Sequence, residues 1–470
     1  MPQQPHHSLR TLDEQLSAVI NEGWEQEVLP QLPTDGEQQA EQLHALLRHR
    51  EFQRASDLLR GLLAYVLCAP SFRHLGGWAI LIGLANISHV AWRARLRQAR
   101  AWLLWLVCEL LTVTTPPPDS QSPSIPRILL IDATRLKQPG GSGDDWRVHL
   151  GYDLLGGRLV DVRVADRHTA EAFELFVLGP GDIVIADRGY SRCRQLAYAM
   201  RQGAHVVVRL EVQKVPLLDE HGQRLDVLSW LRESPAGTQS RAVAFDDQGQ
   251  RFHGRLIACA LPPEAAERAR AKARKKASKQ QRAIKEQTLV LAGWLLVFCS
   301  LSATTWSDEQ VLSLYRARWQ VELLIKRMKS VLKLAQLRGK TALTNEATIL
   351  AVLVCWALQQ QEAQQAREVL AHASSQVATL RAVPEHVTET REYTVSSWLL
   401  TALCVHTLRT AVQGYWTPAR LRACLPSLGR FLCESPRRRQ QQERTIRCQL
   451  RTQLAGGVKD PSPVFRCSSA

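Results

Sequence analysis

The chain has 470 residues, enough for about three ordinary domains. Its composition, 45% hydrophobic and 22% charged, excludes a mainly disordered or collagen-like protein. Lys and Arg number 60 against 44 Asp and Glu, and the net charge of +16 points to a polyanionic partner, nucleic acid first. From the N-terminus, MPQQPHHSLRTLDEQ has no apolar core, so no signal peptide is expected. Residues 9–115 then carry apolar side chains at helical spacing, as in Leu58, Leu59, Leu62, Leu63 and Val66. Within them Phe72 to Ile82 is apolar-periodic, Gly83 loosens the chain and Ser88 caps a helix carrying Arg93, Arg95, Arg97 and Arg100. Two readings fit: a helix-turn-helix on DNA, or a helical bundle with a solvated basic face. Ala101 to Val113 is too short for a membrane span and carries Glu109, so a buried helix is expected.

Five prolines in TTPPPDSQSPSIPR, residues 114–127, stop any helix and mark a linker at 116–126. Beyond it the pattern turns to strands. Arg127-Ile-Leu-Leu-Ile-Asp132 is a buried-type strand ending on an acid, and Asp182-Ile-Val-Ile-Ala-Asp187 is another. Val148 to Tyr152 and Leu159 to Val164 flank Gly156-Gly157, a hairpin pattern. A helix over Ser191 to Gln202 followed by a strand over His205 to Leu210 predicts a crossover, hence an α/β sheet with mixed pairing. Residues 211–300 read as short strands. Among them residues 264–286 hold nine Lys and Arg against three Glu, a solvated helix or disordered run that could also lie along a phosphate backbone. Helical periodicity returns from Ser307 to about Ala371 and over 395–433, and residues 436–470 form an Arg-rich tail. The eleven cysteines form no CxxC pair and read as reduced thiols of a cytosolic protein.

A third acid sharpens the two at the strand ends. Tyr315, Arg318, Glu322, Lys326, Lys329 and Lys333 fall within an arc of about 80° if one helix carries them all. Leu314, Val321, Leu324, Met328 and Leu332 take the other side. A plain surface helix with a Glu322–Lys326 pair explains one contact but not the remaining basic row. Carboxylates Asp132, Asp187 and Glu322 suit a pair of Mg²⁺ ions, with Mn²⁺ as a substitute, because such ions take oxygen ligands and leave room for phosphate. Arg318 and Lys329 would then hold phosphates. Of the other acids, Asp144 and Asp145 follow GGSG as turn residues, Asp161 and Asp166 flank a strand, and Asp153 lies beside them. His168 is a loop histidine.

Tyr315-x2-Arg318-x3-Glu322-x6-Lys329 resembles the Y-R-E-K signature of bacterial insertion-sequence transposases of family four. LLIDATRLKQPGGSGDDWRVHLGYDL and IADRGY resemble the segments around that family's two catalytic aspartates, and the likeness covers residues 70–375. It implies a ribonuclease-H-like catalytic domain over 127–210 and 307–375, with a β-rich insertion at 211–306. Residues 1–115 would form a helical DNA-binding region and residues 376–470 a helical C-terminal region with a basic tail. It implies Asp132, Asp187 and Glu322 as catalytic and metal-binding, and Tyr315, Arg318 and Lys329 on the transposon end. Lys326 and Lys333 join the DNA-facing row. Relatives form a hairpin whose flipped base stacks on tryptophan, so Trp294 and Trp319 are candidates. Trp294 also reads as core and Trp319 as a wedge beside the helix. The implied activity is cleavage and joining of double-stranded DNA by a homodimer held through the C-terminal helices, in the cytoplasm at the nucleoid and without membrane. A metal-dependent nuclease of the same fold, or an inactive DNA-binding copy, are the alternatives.

Overall fold

The computed structural model describes residues 21–113, 127–141, 143, 145–233, 237–380 and 396–414. The linker 116–126, Asp144 and the Arg-rich tail lie outside them. Two compact units divide the chain: residues up to Ala99 with those from Thr407, and Arg100–His406.

The first unit is helical: α1 (Gly36–Gln42), α2 (Ala55–Leu67), α3 (Phe72–Leu81) and α4 (His89–Gln98). Ser71 and Ser88 cap α3 and α4 by accepting from the His74 and Ala91 amides. Gly83, at φ +73°, turns the chain between them. Apolar Leu58, Leu59, Leu62, Trp92 and Leu96 are fully buried. Arg93, Arg95 and Arg97 lie on α4, but Arg100 does not: it opens the next helix and pairs with Glu346 at 3.1 Å.

The second unit begins with that helix, α5 (Arg100–Val113), and is built on β1 (Ile128–Leu136), β2 (Trp146–Asp153), β3 (Arg158–Asp166), β4 (Ile183–Ala186) and β5 (His205–Arg209). A helix α6 (Cys193–Arg201) links β4 to β5. Residues 211–306 add α7 (Val227–Glu233), β6 (Thr238–Asp247), β7 (Gln250–Ala260), α8 (Pro263–Lys279), α9 (Glu286–Ala292) and β8 (Trp294–Cys299). Then follow α10 (Asp308–Ala317), α11 (Trp319–Val331), α12 (Ala342–Leu380) and α13 (Ser397–Gln413), whose last residues belong to the first unit.

All eight strands form one sheet in the order β3-β2-β1-β4-β5-β8-β7-β6. β1, β4 and β5 are parallel, and the other pairs are antiparallel. The parallel strands are covered on both faces, which is why they read as unbroken apolar runs. Leu129, Ile131, Val184, Val206 and Val208 join one core with Phe173, Tyr190 and Leu196. The alternation puts Leu130, Ile185 and Val207, also fully buried, on the opposite face.

The insertion is less fragmented than the sequence suggests. β6 and β7 are a long hairpin, and the basic run is the mostly exposed helix α8. Among the described residues, Ala342–Val369 is long and apolar enough to cross a membrane, and 83% of its most apolar window is buried inside the protein. The described cysteines are free thiols.

Candidate active site

The sheet brings two of the acids together. Ile131 of β1 pairs with Ala186 of β4 in parallel register, so Asp132 and Asp187 are the next residues at the same edge. Asp132 is still within β1, opposite Leu150 of β2. Its Oδ1 accepts from the Ala133 amide at 2.7 Å. Asp187 ends its strand and caps a short turn, accepting from the Gly189 amide at 2.7 Å.

The third acid comes from α11, which packs over β1. Ser307 and Gln310 form a capping box that starts α10. The signature does not lie on one unbroken helix: the helical run is interrupted at Arg318, which closes α10 and opens α11. Lys333 is also off the helix, because α11 ends at Val331 and Lys333 takes a left-handed φ of +58°. The basic row therefore ends at Lys329. Of the expected apolar stripe, Val321, Leu324, Met328 and Leu332 are buried, but Leu314 is only half-buried and Tyr315, from the opposite set, is buried in the core.

Arg318 is the hub. Its Nη2 donates to Glu322 Oε1 at 2.5 Å, and its Nη1 lies 3.5 Å from Asp132 Oδ2. Glu322 thus pairs backward with Arg318 and not forward with Lys326. Lys326 instead covers the Trp319 ring at 4.6 Å, and Trp319 is half exposed. Tyr315 is buried under the Arg318 guanidinium, 5.8 Å from its ring centre. Lys329 Nζ reaches the Arg135 carbonyl of β1 at 3.5 Å. Trp294 is half-buried and opens β8 beside Ala260. Because β8 runs antiparallel to β5, it starts at the edge where β1, β4 and β5 end.

Burial, reinforced by the charges of Asp187 and Glu322, raises the Asp132 carboxyl to about 6 against the pull of Arg318. Burial also pushes the Tyr315 phenol up. Three further residues, of which Tyr190 ends the IADRGY motif, complete the surroundings. Arg209, at the end of β5, acts on Tyr315. The Tyr190 hydroxyl is fully buried without a hydrogen-bond partner, among the charges of Glu171, Asp132, Asp187 and Arg147. Glu171 lies in the connection from β3 to β4, where neither strand nor helix periodicity marks it. Arg209, a basic residue at a strand end, and Tyr190, within IADRGY, carried a readable signal; Glu171 did not. His168 is exposed, its amide held by Asp166.

The donor set suits a hard divalent cation: carboxylate oxygens beside an orphaned buried hydroxyl. Among the described residues no three His, Cys, Asp or Glu side chains form a ready cage, and Arg318 stands between Asp132 and Glu322. Mg²⁺ asks for less than a cage, since it binds through one or two carboxylates, waters and substrate phosphate.

A mixed α/β sheet with two acids side by side where the parallel pairing of β1 and β4 stops is the frame of a ribonuclease-H-like domain. Sequence comparison identifies the family: residues 123–358 match the family described as Transposase DDE domain. Transposase InsL of insertion sequence element IS186A from Escherichia coli (strain K12) is 34% identical over 329 residues, 68% of this chain and 88% of that one. The transposase of IS421 from Escherichia coli is 34% identical over 333 residues, again 68% and 88%. That of IS231F from Bacillus thuringiensis subsp. israelensis is 26% identical over 238 residues, 44% of this chain and 50% of that one. The chain belongs to the DDE transposases of bacterial insertion sequences.

Proposed function

We propose that the protein is a Mg²⁺-dependent transposase of the Y-R-E-K type that cuts the ends of its element and joins them to target DNA, by a cut-and-paste route with a hairpin intermediate. The observation that carries this is the convergence of Asp132 and Asp187 at one sheet edge with Glu322 tied to Asp132 through Arg318. Asp132, Asp187 and Glu322 would hold two Mg²⁺, or Mn²⁺ in their place. Such ions activate a water or 3′-hydroxyl and stabilise the leaving oxygen of an in-line displacement. Arg318 and Lys329 would clamp the phosphates flanking the scissile bond, Arg318 through its planar fork and Lys329 as a point charge. Tyr315 would support Arg318 and contact the DNA end. Trp319 and Lys326 line the same approach, and Trp294 offers an aromatic face for a flipped base.

Residues 1–115 would recognise the element end, residues 211–306 would line the DNA, and residues 376–470 would join two copies, since both ends must be held at once. The partner is then double-stranded DNA and the setting the cytoplasm at the nucleoid, without membrane. The test is cleavage of labelled linear DNA carrying the element's inverted repeat, with Mg²⁺. Wild type is expected to cut at the end and give hairpin and joined products, and Glu322→Ala to bind without cutting. Binding without cutting by the wild type on correct DNA would overturn the catalytic reading.

A further inference from the structure

Glu171, in the connection from β3 to β4, lies against Gly189 beside the candidate centre. It is held from both sides in sequence. The Thr169 carbonyl accepts from Arg147 Nη1 at 2.6 Å, and the Phe173 amide donates to Gln195 Oε1 at 2.6 Å. Phe173 is fully buried and stacks on Tyr190 at 4.9 Å between ring centres. The segment is therefore a positioned loop, not a solvated one.

Its carboxylate meets Asp187 across Gly189. A Cβ on Gly189 would overlap Glu171 Oε2 and lie 2.9 Å from Asp187 Oδ1. Glycine here has an ordinary negative φ, so its use is to leave room where two carboxylates face each other. Neither Glu171 nor Asp187 has an ion-pair partner among the described residues. Two carboxylates placed against one glycine repel unless a cation lies between them. The Tyr190 hydroxyl adds an independent sign. It is fully buried, has no hydrogen-bond partner, and the acids acting on it are Glu171, Asp132 and Asp187. A buried phenol without a partner is costly. A hydrated cation at this place would satisfy all three groups, its charge answering the carboxylates and one of its waters pairing with the hydroxyl.

We propose that Glu171 is a fourth carboxylate of the centre, which holds a hydrated divalent cation together with Asp187 beside Gly189, with Tyr190 paired to the hydration shell. This rests on the reading of Asp187 as a cation ligand. Hard oxygen donors and retained water are what Mg²⁺ and Mn²⁺ require.

The experiment is titration of the full-length, DNA-free protein with Mn²⁺, counting free ion by electron paramagnetic resonance. Glu171→Gln keeps the shape and removes the charge. It is expected to weaken the tighter Mn²⁺ site by about 10-fold or more. Gly189→Ala leaves every carboxylate present but pushes the Glu171 carboxylate out of the place it occupies against the glycine, and should weaken the same site. Glu174→Gln, whose carboxylate pairs with Arg194 at 3.3 Å, should bind Mn²⁺ as wild type does. Thermal unfolding of each variant without metal checks that it is folded. If Asp187→Asn abolishes uptake while Glu171→Gln and Gly189→Ala leave it unchanged, the assignment of Glu171 is overturned and the reading of Asp187 stands. If Asp187→Asn also leaves uptake unchanged, the underlying reading falls with it.

Discussion

His149 lies on β2 with both ring nitrogens buried and without hydrogen bonds. Burial, helped by the nearby Arg147 charge, lowers its pKa from about 6.5 to about 4. Between those values the unfolded chain takes up a proton that the native protein refuses. The contribution of His149 to stability is thus complete above pH 6.5, falls as the pH drops toward 4, and is lost below that. The drop should approach about 3 kcal/mol. Denaturant titrations at pH 7 and pH 5 should show the loss in wild type and a smaller one in His149→Leu. Arg318 allows a second residue-level prediction. It neutralises Asp132 and Glu322 where a cation would sit, so Arg318→Ala should bind Mn²⁺ more tightly than wild type. It should also cut DNA at least tenfold more slowly, having lost its phosphate clamp. Equal Mn²⁺ affinity in parallel titrations would show that Arg318 does not compete with the ion.

At the scale of elements, small residues and caps set where helices meet. A Cβ on Gly61 of α2 would run into the Trp92 ring of α4. Gly61→Ala should therefore destabilise the N-terminal unit by about 1–3 kcal/mol, read as a lower denaturation midpoint. Ser307→Ala removes half of the capping box that starts α10 and should cost about 1 kcal/mol. Elements with one dominant cause were readable from the chain. β1 and β4 announced themselves because both faces are buried; Asp187 follows the end of β4 as read, but Asp132 does not end β1, which continues to Leu136 in its antiparallel pairing with β2. The Ser88 cap and the Gly156-Gly157 hairpin were equally local. The interruption at Arg318 was not readable, since neither Gly nor Pro marks it. Lys333 fits the helical arc in projection only; the helix stops before reaching it. Glu171 belongs to a connection without periodicity, and only folding brings it against Gly189.

For the whole molecule, the +16 charge is unevenly useful. On α8, Arg268, Arg270 and Arg274 are partly engaged with Glu264 and Glu267. Lys272, Lys275, Lys276 and Lys279 are exposed and have no ion-pair partner among the described residues. Replacing these four with Gln should weaken DNA binding and flatten its salt dependence, by about 0.9 in the log–log slope for each phosphate that a lysine no longer neutralises. An unchanged slope in binding measured across salt concentrations would place α8 away from DNA. The order of the strands has a different consequence, for synthesis of the chain. β5 receives its second neighbour from β8, which is made only after the whole insertion. Until Trp294–Cys299 has emerged, the nascent protein carries a raw strand edge, a template for pairing with other chains. A chain cut short within the insertion lacks both that seal and Glu322. Such truncated products should aggregate or be degraded, not persist as inactive competitors for the element's ends.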